Sequence, residues 1–131
     1  MITIDTSVLV AILLEESGWE RLEQIVLDNK TIISSVSIVE TYLVLTGRMV
    51  LGAQAAIEET IKVLNIRVVE FCPKHIQFAQ TAFEKYGKGR HPAKLNFGDC
   101  MVYATAKFTS TPLLYVGDDF AKTDIESVDW R

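Results

Sequence analysis

The sequence is short of the features that would settle its class at a glance. Its 131 residues include only two cysteines, three prolines and seven glycines. Cys72 and Cys100 belong to no CxxC or Cys/His arrangement, which argues against structural zinc. Two buried free thiols in a reducing compartment are expected rather than a disulfide. So little glycine and proline excludes fibrous and low-complexity chains. Long hydrophobic runs are missing as well: the longest near-apolar run, Val8 to Leu14, is far too short to cross a bilayer. Met1 to Asp5 carries neither the basic start nor the cleavable apolar stretch of a signal peptide, so the expected location is the cytoplasm. Net positive charge is also lacking. Thirteen Lys and Arg against 17 Asp and Glu leave a formal charge of −4, which weighs against binding nucleic acid by bulk charge.

What is present is the composition of one globular domain, 49% apolar and 23% charged, long enough to bury a core without staples. Ile2 to Ile4 reads as a short buried strand ending at Asp5-Thr6-Ser7. Val8 to Glu15 suits a helix, and Gly18 separates it from a second through Leu27. Thr31 to Ser34 is a second strand, followed by a helix from Val36 to Thr46 that stops at Gly47. Apolar residues at 53, 57, 61 and 64 give Ala53 to Leu64 a helical period. Arg67 to Phe71 is β-branched and aromatic, the third strand. Pro73 opens a helix through Tyr86. Gly87 to Phe97 is an irregular loop, Gly98 to Phe108 a helix, Leu113 to Val116 a fourth strand and Val128 to Trp130 a possible fifth. Short apolar strands alternating with helices predict an α/β domain: a parallel sheet of four or five strands, flanked by helices.

The informative pattern is where the acids fall. Asp5 ends the first strand, Asp118 and Asp119 end the fourth, Glu40 lies early in the helix after the second, and Asp99 begins the helix before the fourth. Carboxyl ends of parallel strands and the starts of their following helices share one edge, where sites form. Taken singly, each acid has a plainer explanation. Asp5 and Asp119 can be N-caps, and Ser37 with Glu40 or Asn96 with Asp99 has capping-box spacing. Capping does not explain why all fall on one edge. Clustered carboxylates must take up protons or a cation. With no Cys or His among them, a hard ion, Mg²⁺ or Mn²⁺, is the expected cofactor. Phosphodiester hydrolysis is the reaction that best uses such parts.

A second cluster is basic. Lys85, Lys88, Arg90, His91 and Lys94 fall within ten residues, either a solvated run or a phosphate-binding loop. His75, at a helix start, reads as a surface or capping residue. Trp19 and Trp130 read as core or edge packing, and Tyr103, one turn after Asp99, as packing near the acids. Phe78, Phe83, Tyr86 and Phe97 read mostly as core, with base stacking open to one of them.

Ile4-Asp5-Thr6-Ser7, Glu40, Asp99 and the Gly-Asp-Asp-Phe at 117–120 resemble the PIN-domain pattern, and the likeness runs nearly end to end, implying one PIN domain over 1–131. Gly87-Lys-Gly-Arg-His-Pro-Ala-Lys-Leu-Asn-Phe-Gly-Asp-Cys100 and the tail Gly-Asp-Asp-Phe-Ala-Lys-Thr-Asp-Ile at 117–125 are similar to one subgroup of VapC-type toxins. The resemblance implies an endoribonuclease held inactive by a VapB-like antitoxin, commonly a homodimer. It makes Asp5, Glu40 and Asp99 the metal-binding acids, Asp119 or its neighbour Asp118 the fourth, and Thr6 or Ser7 their support. Two other readings compete. A PIN-like RNA- or protein-binding module without catalysis needs a broken acidic set, and every acid is here. A phosphotransfer domain using strand-end aspartates wants a second acid beside Asp5 and a strand-end lysine, and neither is present.

Overall fold

The structure is a computed structural model covering residues 1–131. Four strands, β1 (Ile2–Ile4), β2 (Thr31–Ser34), β3 (Arg67–Val69) and β4 (Leu113–Leu114), form one parallel sheet in the order β3-β2-β1-β4. Six helices connect them: α1 (Thr6–Leu13), α2 (Trp19–Asp28), α3 (Ser35–Gly47), α4 (Ala53–Val63), α5 (Pro73–Tyr86) and α6 (Phe97–Thr109). A short 3₁₀ turn, Phe120–Lys122, follows β4. No helix is long and apolar enough to cross a membrane.

Three of the four strands are buried on both faces, and β3, at the edge, is largely exposed. Every residue of β1, β2 and β4 is buried. Successive side chains of a strand point to opposite faces, and β4 shows the result: Leu114 joins one apolar core and Leu113 another. The first core gathers Ile4, Leu9, Leu22, Ile33 and Ile57 from β1, β2, α1, α2 and α4. The second gathers Ala82, Leu95, Val102, Tyr103 and Phe120 from the α5–α6 side. Thr3 points away from Ile2 and Ile4, and its buried hydroxyl is paired with that of Thr111 at 2.6 Å, so its polar atom is satisfied.

Several expectations need correction. Val128 to Trp130 is not a fifth strand. The tail makes one parallel bridge, Leu113 to Ser127, and then leaves the sheet. Trp130 instead donates its indole N–H to the Tyr115 carbonyl and lies against Gly18, where a Cβ would stand 2.8 Å from the ring. The third and fourth strands stop earlier than expected, at Val69 and Leu114 rather than Phe71 and Val116. β4 ends at Leu114 because the next free N–H, that of Val116, bonds the Ser7 hydroxyl instead of a neighbouring strand. His75 is a cap, but not a surface residue. Its Nδ1 accepts the Cys72 N–H at 3.0 Å, and its ring is 3% exposed between Phe71 and Phe108. Both cysteines are free.

The aromatic reading also fails in part. Phe97 is 74% exposed, and Phe78 and Phe83 are exposed too, while Tyr86 is half-buried. Helical periodicity identifies an apolar stripe but not what covers it. Together with Phe71, Ile76 and Met101, Phe83 and Phe97 line an open groove of about 740 Å³ between α5 and α6.

Because the sheet carries both cores, truncating it at the centre should be costly. Ile33→Ala, in a fully buried β2 position, is expected to lower unfolding free energy by about 2–5 kcal/mol in urea denaturation. A loss below about 1 kcal/mol would mean that β2 is not the seam between the helices of the first core.

Candidate active site

Strand β1 is central, and the chain leaves it toward β2 on one side and returns at β4 on the other. That divergence opens a crevice beyond the carboxyl end of β1, where Asp5 stands, 7% exposed. Asp5 is also the N-cap of α1: its Oδ2 accepts the Ser7 N–H at 3.0 Å and the Ser7 hydroxyl at 2.6 Å. Ser7 in turn accepts the Val116 N–H at 3.0 Å, which ties the exits of β1 and β4 together. Next to it, Thr6 donates its hydroxyl to Glu40 Oε1 at 2.8 Å. Thr6 and Ser7 are therefore each bonded to one of the acids they were expected to support.

Glu40 sits in the second turn of α3. It is not half of a capping box: α3 is capped by Ser34, and Ser37 is buried inside the helix with no partner for its hydroxyl. Asp99, by contrast, does close the expected box. Asn96 accepts the Asp99 N–H at 2.9 Å, and Asp99 Oδ2 accepts the Asn96 N–H at 3.1 Å. Gly98, which the sequence did not single out, lies directly against Glu40. A Cβ there would overlap the Glu40 carboxylate, so the missing side chain lets α3 and α6 bring their acids together.

The electrostatics show the convergence. Burial, chiefly, raises the Asp5 carboxyl above its usual range, against hydrogen bonds from Ser7 and Thr6, and the Asp119 charge adds to the rise. Burial also raises Glu40, opposed by the Thr6 bond and reinforced by Asp5. Asp99 is pushed up to about 6, first by burial and then, against its Asn96 bond, by the charges of Asp5, Asp119 and Glu40. Four carboxylates from four segments thus lie near enough for their charges to bear on one another. Asp118 lines a cleft with Gly117, Asp129, Trp130 and Arg131. Of the adjacent pair, Asp119 lies near enough for its charge to bear on Asp5 and Asp99, and its side chain makes no capping bond.

No group of three or more His, Cys, Asp or Glu side chains is preassembled to hold a metal ion. The all-oxygen donor set still fits a hard cation, because Mg²⁺ takes one or two carboxylates and keeps several waters. The N-termini of α1 and α6 add a modest positive field.

The basic loop leads straight into α6. Lys85, Lys88, Arg90 and Lys94 are exposed. The Arg90 guanidinium lies 5.1 Å over the Phe83 ring. His91 is half-buried, edge-on to Tyr86, and its Nδ1 accepts the Ala93 N–H at 3.0 Å. Part of His91 is therefore spent on shaping the loop.

Comparison with known proteins agrees with this geometry. The PIN domain profile matches residues 2–126. Ribonuclease VapC36 of Mycobacterium tuberculosis is 40% identical over 125 residues, spanning 94% of this chain and 90% of that protein. Ribonuclease VapC30 of the same species is 39% identical, spanning 95% and 96%. A VapC ribonuclease of Rhizobium meliloti is 34% identical, spanning 93% and 97%. Among solved structures, the Mycobacterium tuberculosis VapC20, titled a sarcin-ricin loop cleaving toxin, superposes with a TM-score of 0.79. It covers 98% of both chains at 16% identity, a likeness of fold.

The raised acids carry a pH signature. Asp99 titrates at about 6 in the fold against an ordinary value of 3.8. The native state therefore binds more protons than the unfolded chain between those values, and stability falls as pH rises through that window. In EDTA, the thermal midpoint should be higher at about pH 5 than at about pH 7.5. Mg²⁺ at the higher pH should restore it, and Asp99→Asn should flatten the profile. A metal-free midpoint that rises toward neutral pH would contradict the crowding of these carboxylates.

Proposed function

Because the chain belongs to the PIN-domain family and, within it, to the branch of VapC ribonucleases, we propose that it is the ribonuclease toxin of a toxin–antitoxin pair. On this reading it cleaves RNA internally, with a divalent cation held by Asp5, Glu40, Asp99 and Asp119. The observation that carries the reading is that those four carboxylates, from four segments, lie near enough for their charges to act on one another, with no Cys or His among them.

Each residue then has a task. Asp5 and Asp99, fixed by Ser7 and by the Asn96 box, would be the direct ligands; Glu40, aimed by Thr6, and Asp119 would hold coordinated water or complete the shell. When bound, Mg²⁺ or Mn²⁺ lowers the pKa of an attacking water and offsets charge developing at phosphorus. Lys85, Lys88, Arg90 and Lys94 would take the flanking phosphates, with His91 holding the loop in shape and offering its remaining nitrogen. A net charge of −4 is then no obstacle, since several of the acids are in the metal site and the bases are grouped where the backbone would run.

Two surfaces fit the proposed partners. Val39, Tyr42 and Leu43 are exposed on α3, beside a cleft lined by Ile38, Ile57 and Glu58. An apolar antitoxin helix would lie there, and a cationic side chain beyond it could reach the acids. The earlier stretch Ala11 to Leu14 offers less to such a helix, because Ala11 and Ile12 are buried. The α5–α6 groove would be covered by a second copy: it holds both Glu84 and Arg90, a charge pair that a two-fold axis would satisfy twice.

Purified free of antitoxin, the protein should cleave RNA in Mg²⁺ or Mn²⁺ and stop in EDTA. Asp99→Asn keeps the cap and removes the charge, so cleavage should fall by about 100-fold or more while the fold survives. Undiminished cleavage in EDTA would sink the metal-dependent reading. Replacing Lys88 and Lys94 by Ala should weaken RNA binding and reduce the salt slope by about 1–2, leaving antitoxin affinity intact. An unchanged slope would make the loop a solvated surface.

A further inference from the structure

Asp99 and Tyr103 are four residues apart on α6, one turn along the same face. Asp119 and Asp124 are five apart on the segment that follows β4. The two pairs meet at one contact. The Tyr103 hydroxyl donates to Asp124 Oδ1 at 2.6 Å, and Lys107, whose ammonium lies 5.6 Å from the Tyr103 ring centroid, donates to Oδ2 at 3.2 Å.

That contact is more than one tie among many. The Val116 N–H bonds Ser7, and Glu126 accepts from Leu113. Between those two anchors, every other hydrogen bond of the segment is internal: Lys122 to Asp119, Thr123 to Phe120 by both N–H and hydroxyl, and Ile125 to Thr123. Phe120 and Ile125 are buried in the second core, but apolar packing is non-directional and does not fix how the backbone around Asp119 is turned. Asp119 itself is exposed and makes no side-chain capping bond, while its charge opposes those of Asp5 and Asp99.

We propose that Tyr103 and Asp124 are positioning residues for the acid cleft. Their hydrogen bond, steadied by Lys107, braces the segment carrying Asp119 against the helix carrying Asp99, and so sets the separation of two mutually repelling carboxylates. The inference rests on the metal-site reading above and adds to it a polar pair one turn away from the acids that touches none of them. Partners bonded directly to metal ligands typically matter about 10–100-fold in metal affinity, and a brace acting through the backbone is expected at the lower end of that range.

The test uses the full chain without antitoxin or RNA, titrated with Mn²⁺ and read as free Mn²⁺ by electron paramagnetic resonance, beside amide hydrogen exchange across residues 117–125. Tyr103→Phe keeps the ring and removes the donor. Asp124→Ala removes the acceptor. Asp124→Asn keeps an acceptor for Tyr103. The Tyr103→Phe and Asp124→Ala variants are expected to weaken Mn²⁺ binding about 10-fold and to speed exchange in the segment, with the thermal midpoint close to that of the parent. The Asp124→Asn variant should bind nearly as the parent does. Faster exchange with unchanged Mn²⁺ affinity would reduce the contact to a staple for the tail and overturn the proposal. A parent that binds no Mn²⁺ would overturn the metal-site reading itself, and the proposal with it, whatever the variants do.

Discussion

Carboxylates that are partly stripped of water and placed beside one another repel, and the fold is organised to hold them there. Asp5 is almost wholly buried, and Asp99 is raised to about 6 by burial and its neighbours. Neither arrangement is what an isolated cap would choose. The opposing terms are local and specific: Ser7 for Asp5, Thr6 for Glu40, the Asn96 box for Asp99, and the Tyr103 contact for the segment of Asp119. The parallel sheet brings the four segments to one edge. Small polar side chains then convert closeness into a defined shape.

This explains why capping and site are not rival descriptions. Asp5 caps α1 and Asp99 closes the box on α6, yet both face the shared crevice. A helix N-terminus needs an acceptor and offers a positive end, so a carboxylate placed there is oriented, and part of the cost of burying its charge is offset. A chain that must keep acids together gains from lodging them at helix starts. Glu40 is the exception, carried inside α3, and it is the acid whose position depends on a glycine opposite.

The sheet, the six helices and the edge where the acids gather were legible because they follow from periods of two and 3.6 and from strand-end placement. Choosing between Asp118 and Asp119 was not, since adjacent residues differ in facing and the loop after β4 has no period to read. The Tyr103–Asp124 contact joins residues 21 apart and leaves no mark in either local pattern. Phe83 and Phe97 misled for a different reason. Apolar character at helical spacing fixes which residues share a face, but whether that face is covered is not encoded in the helix itself. The fifth strand failed because β4 is two residues long and offers the tail one bridge rather than a ladder.

The empty place at Gly98 has a consequence for reading related sequences. Its backbone angles are ordinary for a helix and any residue could adopt them; what a side chain would meet is the Glu40 carboxylate occupying the space. Because Glu40 is flexible at that end, a chain with alanine at 98 would still fold, still cap α6 and still show all four acids in its sequence. Only the placement of the Glu40 carboxylate would change. An inventory of acidic residues would therefore score such a chain as unaltered, although a single methyl group would have shifted one of the acids. Position 98 thus bears on the acids while carrying no functional group at all.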